Sequence, residues 1–134
     1  MAALTGLAVL LVDDDKDTRD LLQLVLDGQG ASVRAVRSAA DARDAIQERA
    51  PDILLTDISL PDEDGFALVA ALRADVATRT IPAIALTGHS DASLQVRAAE
   101  AGFQKFITKP FDVLSLASAI ASVVSAAREP AQAR

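Results

Sequence analysis

Cysteine, tryptophan and tyrosine are missing from the 134 residues, and histidine and methionine occur once each. Without cysteine there is no disulfide framework, no thiolate metal site and no thiol nucleophile, and the composition favours a reducing compartment. Aromatic residues make up only 3% of the chain, all of them phenylalanine. Basic charge is scarce too: 13 Lys and Arg against 19 Asp and Glu leave a net charge of −6, with no basic cluster. Such a chain repels a polyanion, so nucleic acid is not an expected partner. The longest uncharged stretch near the C-terminus, 113–127, has 15 residues and carries Ser115, Ser118, Ser122 and Ser125, too short and too polar to span a bilayer. No basic region followed by an apolar stretch opens the chain, so no secretory leader is expected and the cytoplasm is the expected location. What is present is 51% hydrophobic, enough for one core in a chain of this size. The expected organisation is a short extension over 1–6, one domain over 7–128 and a frayed tail over 129–134.

The 28 alanines gather in segments that alternate with runs of Val, Ile and Leu. Leu7 to Val12 is unbroken apolar sequence closed by Asp13, which predicts a strand buried on both faces. Leu21, Leu22, Val25 and Leu26 then recur at helical spacing, with Gly28 and Gly30 where a helix stops. The cycle repeats: strand Ser32 to Val36, and a helix opened by Ser38 and Asp41 that reaches about Arg49. Ile53 to Leu55 form a strand ending at Asp57, followed by a turn over 60–65 and a helix from Phe66 to about Arg73. Ile81 to Leu86 is a strand ending at Thr87; Ser90 or Asp91 caps a helix that stops at Gly102. Phe106 and Ile107 make a short fifth strand before Lys109 and Pro110, and Asp112 caps a last helix to about Arg128. Five strand–helix units predict an α/β fold with a mostly parallel sheet and helices on both faces.

In such sheets ligands bind beyond the carboxyl ends of the strands, so the residues closing each strand carry the chemistry. Here they are Asp13 and Asp14, Asp57, Thr87, and Lys109 just past the fifth strand. Converging carboxylates repel: two charges about 4 Å apart cost roughly 4 kcal/mol at an effective dielectric near 20. An all-oxygen set with no His or Cys favours a hard cation, Mg2+ above all, and a lysine and a threonine hydroxyl beside it suit phosphoryl oxygens. A carboxylate can also take the phosphoryl group itself, and Asp57, alone at the end of the middle strand, is the best-placed nucleophile. Taken singly, each motif has a plainer reading: a polar helix start for 13–17, a cap or turn for Asp57, strand-end loops for Thr87 and Lys109.

Together, Val12-Asp13-Asp14-Asp15, Asp57 with Leu60-Pro61-Asp62-Glu63-Asp64-Gly65 behind it, Ala85-Leu86-Thr87-Gly88 and Lys109-Pro110-Phe111 resemble the receiver domain of two-component response regulators over about Leu7 to Arg128. The resemblance implies a flavodoxin-like (βα)5 sandwich with strand order 2-1-3-4-5. It implies that Asp57 accepts a phosphoryl group from a sensor histidine kinase or a histidine phosphotransfer protein. Mg2+ would be held by Asp14, Asp57 and the Ser59 backbone carbonyl, with Asp13 acting directly or through water. Thr87 and Lys109 would contact the phosphoryl oxygens; Thr87 and Phe106 would form the switch, remodelling the face of helix four, strand five and helix five. Ser59 and His89 stand where the family tunes the lifetime of the phosphoryl group. A cis peptide is implied at Lys109-Pro110.

Phe106 departs from the Tyr or His of many relatives and removes a ring hydrogen bond, so the output contact is not carried over. The resemblance leaves open a stand-alone regulator or a receiver cut from a hybrid histidine kinase, an unidentified downstream protein partner, and a homodimer through helices four and five. Periodicity alone makes Phe103, Phe106 and Phe111 core residues and His89 a loop residue. The alternatives are a receiver-like interaction module that is never phosphorylated, and a Mg-dependent aspartyl-phosphate phosphohydrolase of the haloacid dehalogenase type. Asp15-Lys16-Asp17-Thr18 echoes the latter only out of register. A calcium loop fails because Thr18 stands where the turn needs Gly.

Overall fold

Strand and helix alternate five times along the chain. The computed structural model describes residues 4–88 and 91–128. In order come β1 (Ala8–Val12), α1 (Lys16–Gly28), β2 (Ser32–Val36), α2 (Ala39–Glu48), β3 (Ile53–Asp57), α3 (Gly65–Ala74), β4 (Ala83–Thr87), α4 (Ala92–Ala101), β5 (Lys105–Thr108) and α5 (Val113–Arg128). All strand pairs are parallel and the sheet order is β2-β1-β3-β4-β5, the doubly wound flavodoxin-like arrangement expected.

Side chains alternate across the central strands with a period of two and so feed two cores. Leu10, Val12, Leu54, Ala83 and Ala85 pack with Ile46, Phe66, Leu68 and Phe103 under α2, α3 and α4. Val9, Leu11, Ile53, Leu55, Ile84 and Leu86 pack with Leu22, Leu26, Leu116 and Ile120 under α1 and α5. Leu4 joins this second core fully buried, its N–H bonded to Gln29 O at 2.9 Å. Phe111 also lies against the second core, half-buried.

The helices begin where the acids and serine stand. Asp15, Ser38, Asp64 and Asp91 each accept a main-chain N–H two or three residues on, satisfying donors the helix leaves open. Asp112 does the same for α5 through Leu114 N. Gly102 ends α4 at φ +112°, a left-handed turn that a side chain would strain. β4 starts at Ala83 rather than Ile81, because Ile81 N is used in a turn to Thr78 O. β3 and β5 run a residue or two longer than their apolar cores, since the ladder continues onto polar residues wherever a neighbour supplies partners. His89 and the tail over 129–134 lie outside the described residues.

Candidate functional site

Strand register alone brings the strand ends to one rim. Val12 pairs with Thr56, so Asp13 stands level with Asp57; Asp57 pairs with Leu86, one residue before Thr87; Thr87 pairs with Thr108, one residue before Lys109. Asp13 is fully buried, and the turn after it is held by Asp15 N donating to its Oδ1 at 2.9 Å. Its main-chain N–H continues the ladder onto Val36 O at 3.1 Å, and its carbonyl accepts from Arg19 Nη1 at 2.8 Å. Asp14 is exposed beside it.

Asp13, Asp14 and Asp57 each offer a carboxylate oxygen, and these oxygens lie within 4.8 Å of one another. Lys109 Nζ reaches in from beyond β5 and donates to Asp13 Oδ2 at 2.8 Å and to Asp57 Oδ2 at 2.9 Å. Burial disfavours the Lys109 ammonium, but the hydrogen bonds and charges of the two carboxylates outweigh it and hold its pKa above the ordinary lysine value. One ammonium cannot balance three carboxylates. The donor set is all oxygen, converging and partly open to solvent through Asp14, which fits a hard divalent cation.

The remaining expected residues fall around this centre. Ser59 is exposed two residues past Asp57, and its N–H donates to Asp57 Oδ1 at 3.0 Å. Thr87 is 1% exposed at the end of β4, and its carbonyl accepts from Lys109 N at 2.6 Å. The Lys109-Pro110 peptide that follows is cis. Phe106 pairs with Ala85 in the ladder and lies half-buried against the first core, on the strand next to Thr87. Asp15 is not in the cluster; it caps α1 through Thr18. Two residues not singled out by the sequence also shape the rim. Arg19 holds the Asp13 carbonyl, and Asp62 bonds Ala39 N and Ala40 N of α2. Asp62 is bonded across more than twenty residues of chain, which no local pattern signals; Arg19 sits one helical turn past the acidic run, the only hint available.

The family model described as the response regulator receiver domain matches residues 9–121. The chain belongs to this family. A receiver-sized relative, an uncharacterised 14.6 kDa protein of Leptolyngbya boryana, is 38% identical over 87% of this chain and 88% of its own length. The transcriptional regulatory protein GltR of Pseudomonas aeruginosa is 37% identical over 92% of this chain, which spans only 51% of that protein. Among solved structures, the signal receiver domain of a histidine kinase from Syntrophus aciditrophicus superposes with a TM-score of 0.85 at 32% identity, covering 96% of this chain and 98% of that one. The chain is thus similar both to receivers of regulators and to a receiver of a kinase. No helix of the described residues is long and apolar enough to cross a membrane.

Proposed function

We propose that this receiver is a phosphoacceptor of a two-component relay, with Asp57 taking the phosphoryl group. The reading is carried by the convergence of Asp13, Asp14, Asp57 and Lys109 at the carboxyl ends of β1, β3 and β5. Asp13, Asp14, Asp57 and the Ser59 carbonyl would hold Mg2+. When bound, the ion supplies positive charge to the phosphoryl oxygens and lowers repulsion between them and the carboxylates. The donor is a phosphohistidine of a sensor kinase or histidine phosphotransfer protein: an Asp57 oxygen forms the new bond to phosphorus as the bond to the imidazole nitrogen breaks.

Lys109 then exchanges its contact with Asp57 Oδ2 for a phosphoryl oxygen. Asp13 holds the other side of the ammonium and keeps it at the rim. Thr87 donates its hydroxyl to another phosphoryl oxygen, and Phe106 follows on the next strand, altering the face of α4, β5 and α5. Ser59 and His89 set how readily water reaches the acyl phosphate. The histidine donor would dock over α1 and the loop after β5, near Lys16 to Leu22 and Pro110. Leu21 on α1 and Leu114 near the start of α5 are 53% and 67% exposed.

The test is incubation with Mg2+ and acetyl phosphate, followed by intact mass, beside Asp57→Asn. One phosphoryl group per chain, lost on hydroxylamine treatment and absent from the variant, is expected. Steady turnover of a phosphomonoester would instead favour the hydrolase. No adduct, with no binding of beryllofluoride and Mg2+, would leave a constitutive interaction module.

A further inference from the structure

The loop that follows Asp57 is fastened to a helix it does not belong to. Asp62 lies three residues beyond Ser59, and its two carboxylate oxygens each take a different main-chain N–H from the first turn of α2. Oδ1 accepts from Ala39 at 3.0 Å and Oδ2 from Ala40 at 2.9 Å. Oδ1 also accepts from Glu63 N at 3.1 Å. The first N–H groups of a helix have no partner within it, and the side chain of Ser38, the cap of α2, serves Asp41. A carboxylate fits here in charge as well as in shape, since the helix start is electropositive. Beside it Glu63 pairs with Arg43 of the same helix, a second link along the same seam.

Around the acidic trio these bonds close into a ring. The end of β1 is tied to the end of β2 by Asp13 N on Val36 O. Three residues after Val36 the chain enters α2 at Ala39, and Asp62 carries the connection from Ala39 and Ala40 across to the loop. The loop then runs back to Ser59, whose N–H bonds Asp57 Oδ1, and its base is shut by Gly65 N donating to Ile58 O at 2.7 Å. The positions of the β1 acids and of the loop after Asp57 are therefore not independent.

We infer that Asp62 is a positioning residue of the phosphoryl site. By fastening the loop to α2 it holds the Ser59 main chain in register with Asp13 and Asp57, so that binding the ion does not have to order the loop. The part of this that concerns the ion rests on the proposed function; the fastening itself does not.

The experiment compares wild type, Asp62→Ala, Asp62→Asn and Ser38→Ala. Ser38→Ala weakens the same helix by removing its cap but leaves the link to the loop intact. Two readouts are taken by NMR: exchange of the Ser59 amide without metal, and the Mg2+ dissociation constant. Asp62→Ala is expected to speed Ser59 exchange and raise the dissociation constant about three- to tenfold, with Asp62→Asn in between, because its amide keeps one acceptor. Ser38→Ala is expected to lower thermal stability and leave both readouts near wild type. Unchanged Ser59 exchange in Asp62→Ala overturns the inference, as does an equal change in Ser38→Ala, which would make Asp62 merely a stabiliser of α2. Wild type that binds no Mg2+ would refute the proposed function, and Ser59 exchange would still judge the fastening.

Discussion

A Cβ built on Gly65 would stand 2.7 Å from the Asp57 carbonyl oxygen and 3.0 Å from Ile58 Cα, both main chain and unable to swing aside. Gly65→Ala must therefore move the strand end that carries Asp57. We expect a loss of about 1–3 kcal/mol of stability by urea denaturation, together with slower labelling by acetyl phosphate. Asp14 works in the opposite sense. It adds an exposed third carboxylate to a cluster where one ammonium already serves the other two. Asp14→Asn is expected to stabilise the metal-free protein by about 0.5–1 kcal/mol in the same denaturation experiment, and to weaken Mg2+ binding. Opposite signs for stability and binding are the expected signature of a cation site at this cluster.

At the scale of elements, α4 is the helix with the fewest buried residues among those described, Ala98 alone. Arg73, from α3, compensates at one end. Its guanidinium donates to Gly102 O through Nε at 3.1 Å and Nη2 at 2.7 Å, and through Nη1 to Ile81 O at 2.6 Å. Nη2 also reaches Gln104 Oε1, which accepts from Ala83 N. One planar fork thus joins the end of α4 to the starts of β4 and β5. Arg73→Lys keeps the charge but not the fork, and is expected to cost about 2 kcal/mol. Amide exchange should accelerate at Gly102 and Phe103, whose N–H groups close the last turn of α4 onto Ala98 and Ala99, and not in α1. Equal acceleration in α1 would mean global destabilisation instead.

For the whole molecule, stability against pH is bounded by groups on opposite sides. The Asp62 carboxyl is held below its ordinary value by the main-chain bonds from Ala39 and then Ala40, Asp91 by the bonds from Ser93, and Asp15 by the bonds from Thr18. Carboxyls depressed in the folded state stabilise above the unfolded value of 3.8, and that contribution is lost as pH falls through the folded values. Lys109, raised by its two carboxylates against burial, contributes fully below the unfolded value of 10.5 and loses it as pH rises through the higher folded value. Denaturation midpoints should therefore fall on both sides of a neutral plateau, and Asp62→Asn should flatten the acid limb between about pH 5 and pH 2. An unchanged limb would show that the Asp62 bonds do not persist in solution. Much of this molecule is legible in its sequence. The five strand–helix units follow from runs such as Leu7 to Val12 and from caps such as Ser38 and Asp64, because period and capping are local properties. That Asp13, Asp14, Asp57, Thr87 and Lys109 lie on one rim is legible in the sequence because parallel strands put all their carboxyl ends on one edge, whatever the packing above and below. Local sequence thus determined the elements, their caps and the acidic rim. Tertiary structure alone decided that Leu4 is core, that Lys109 bridges Asp13 and Asp57, that Arg73 clamps Gly102 and that Asp62 fastens its loop to α2. Those contacts join residues more than twenty positions apart, and such pairs meet only once the strand order has placed their elements side by side.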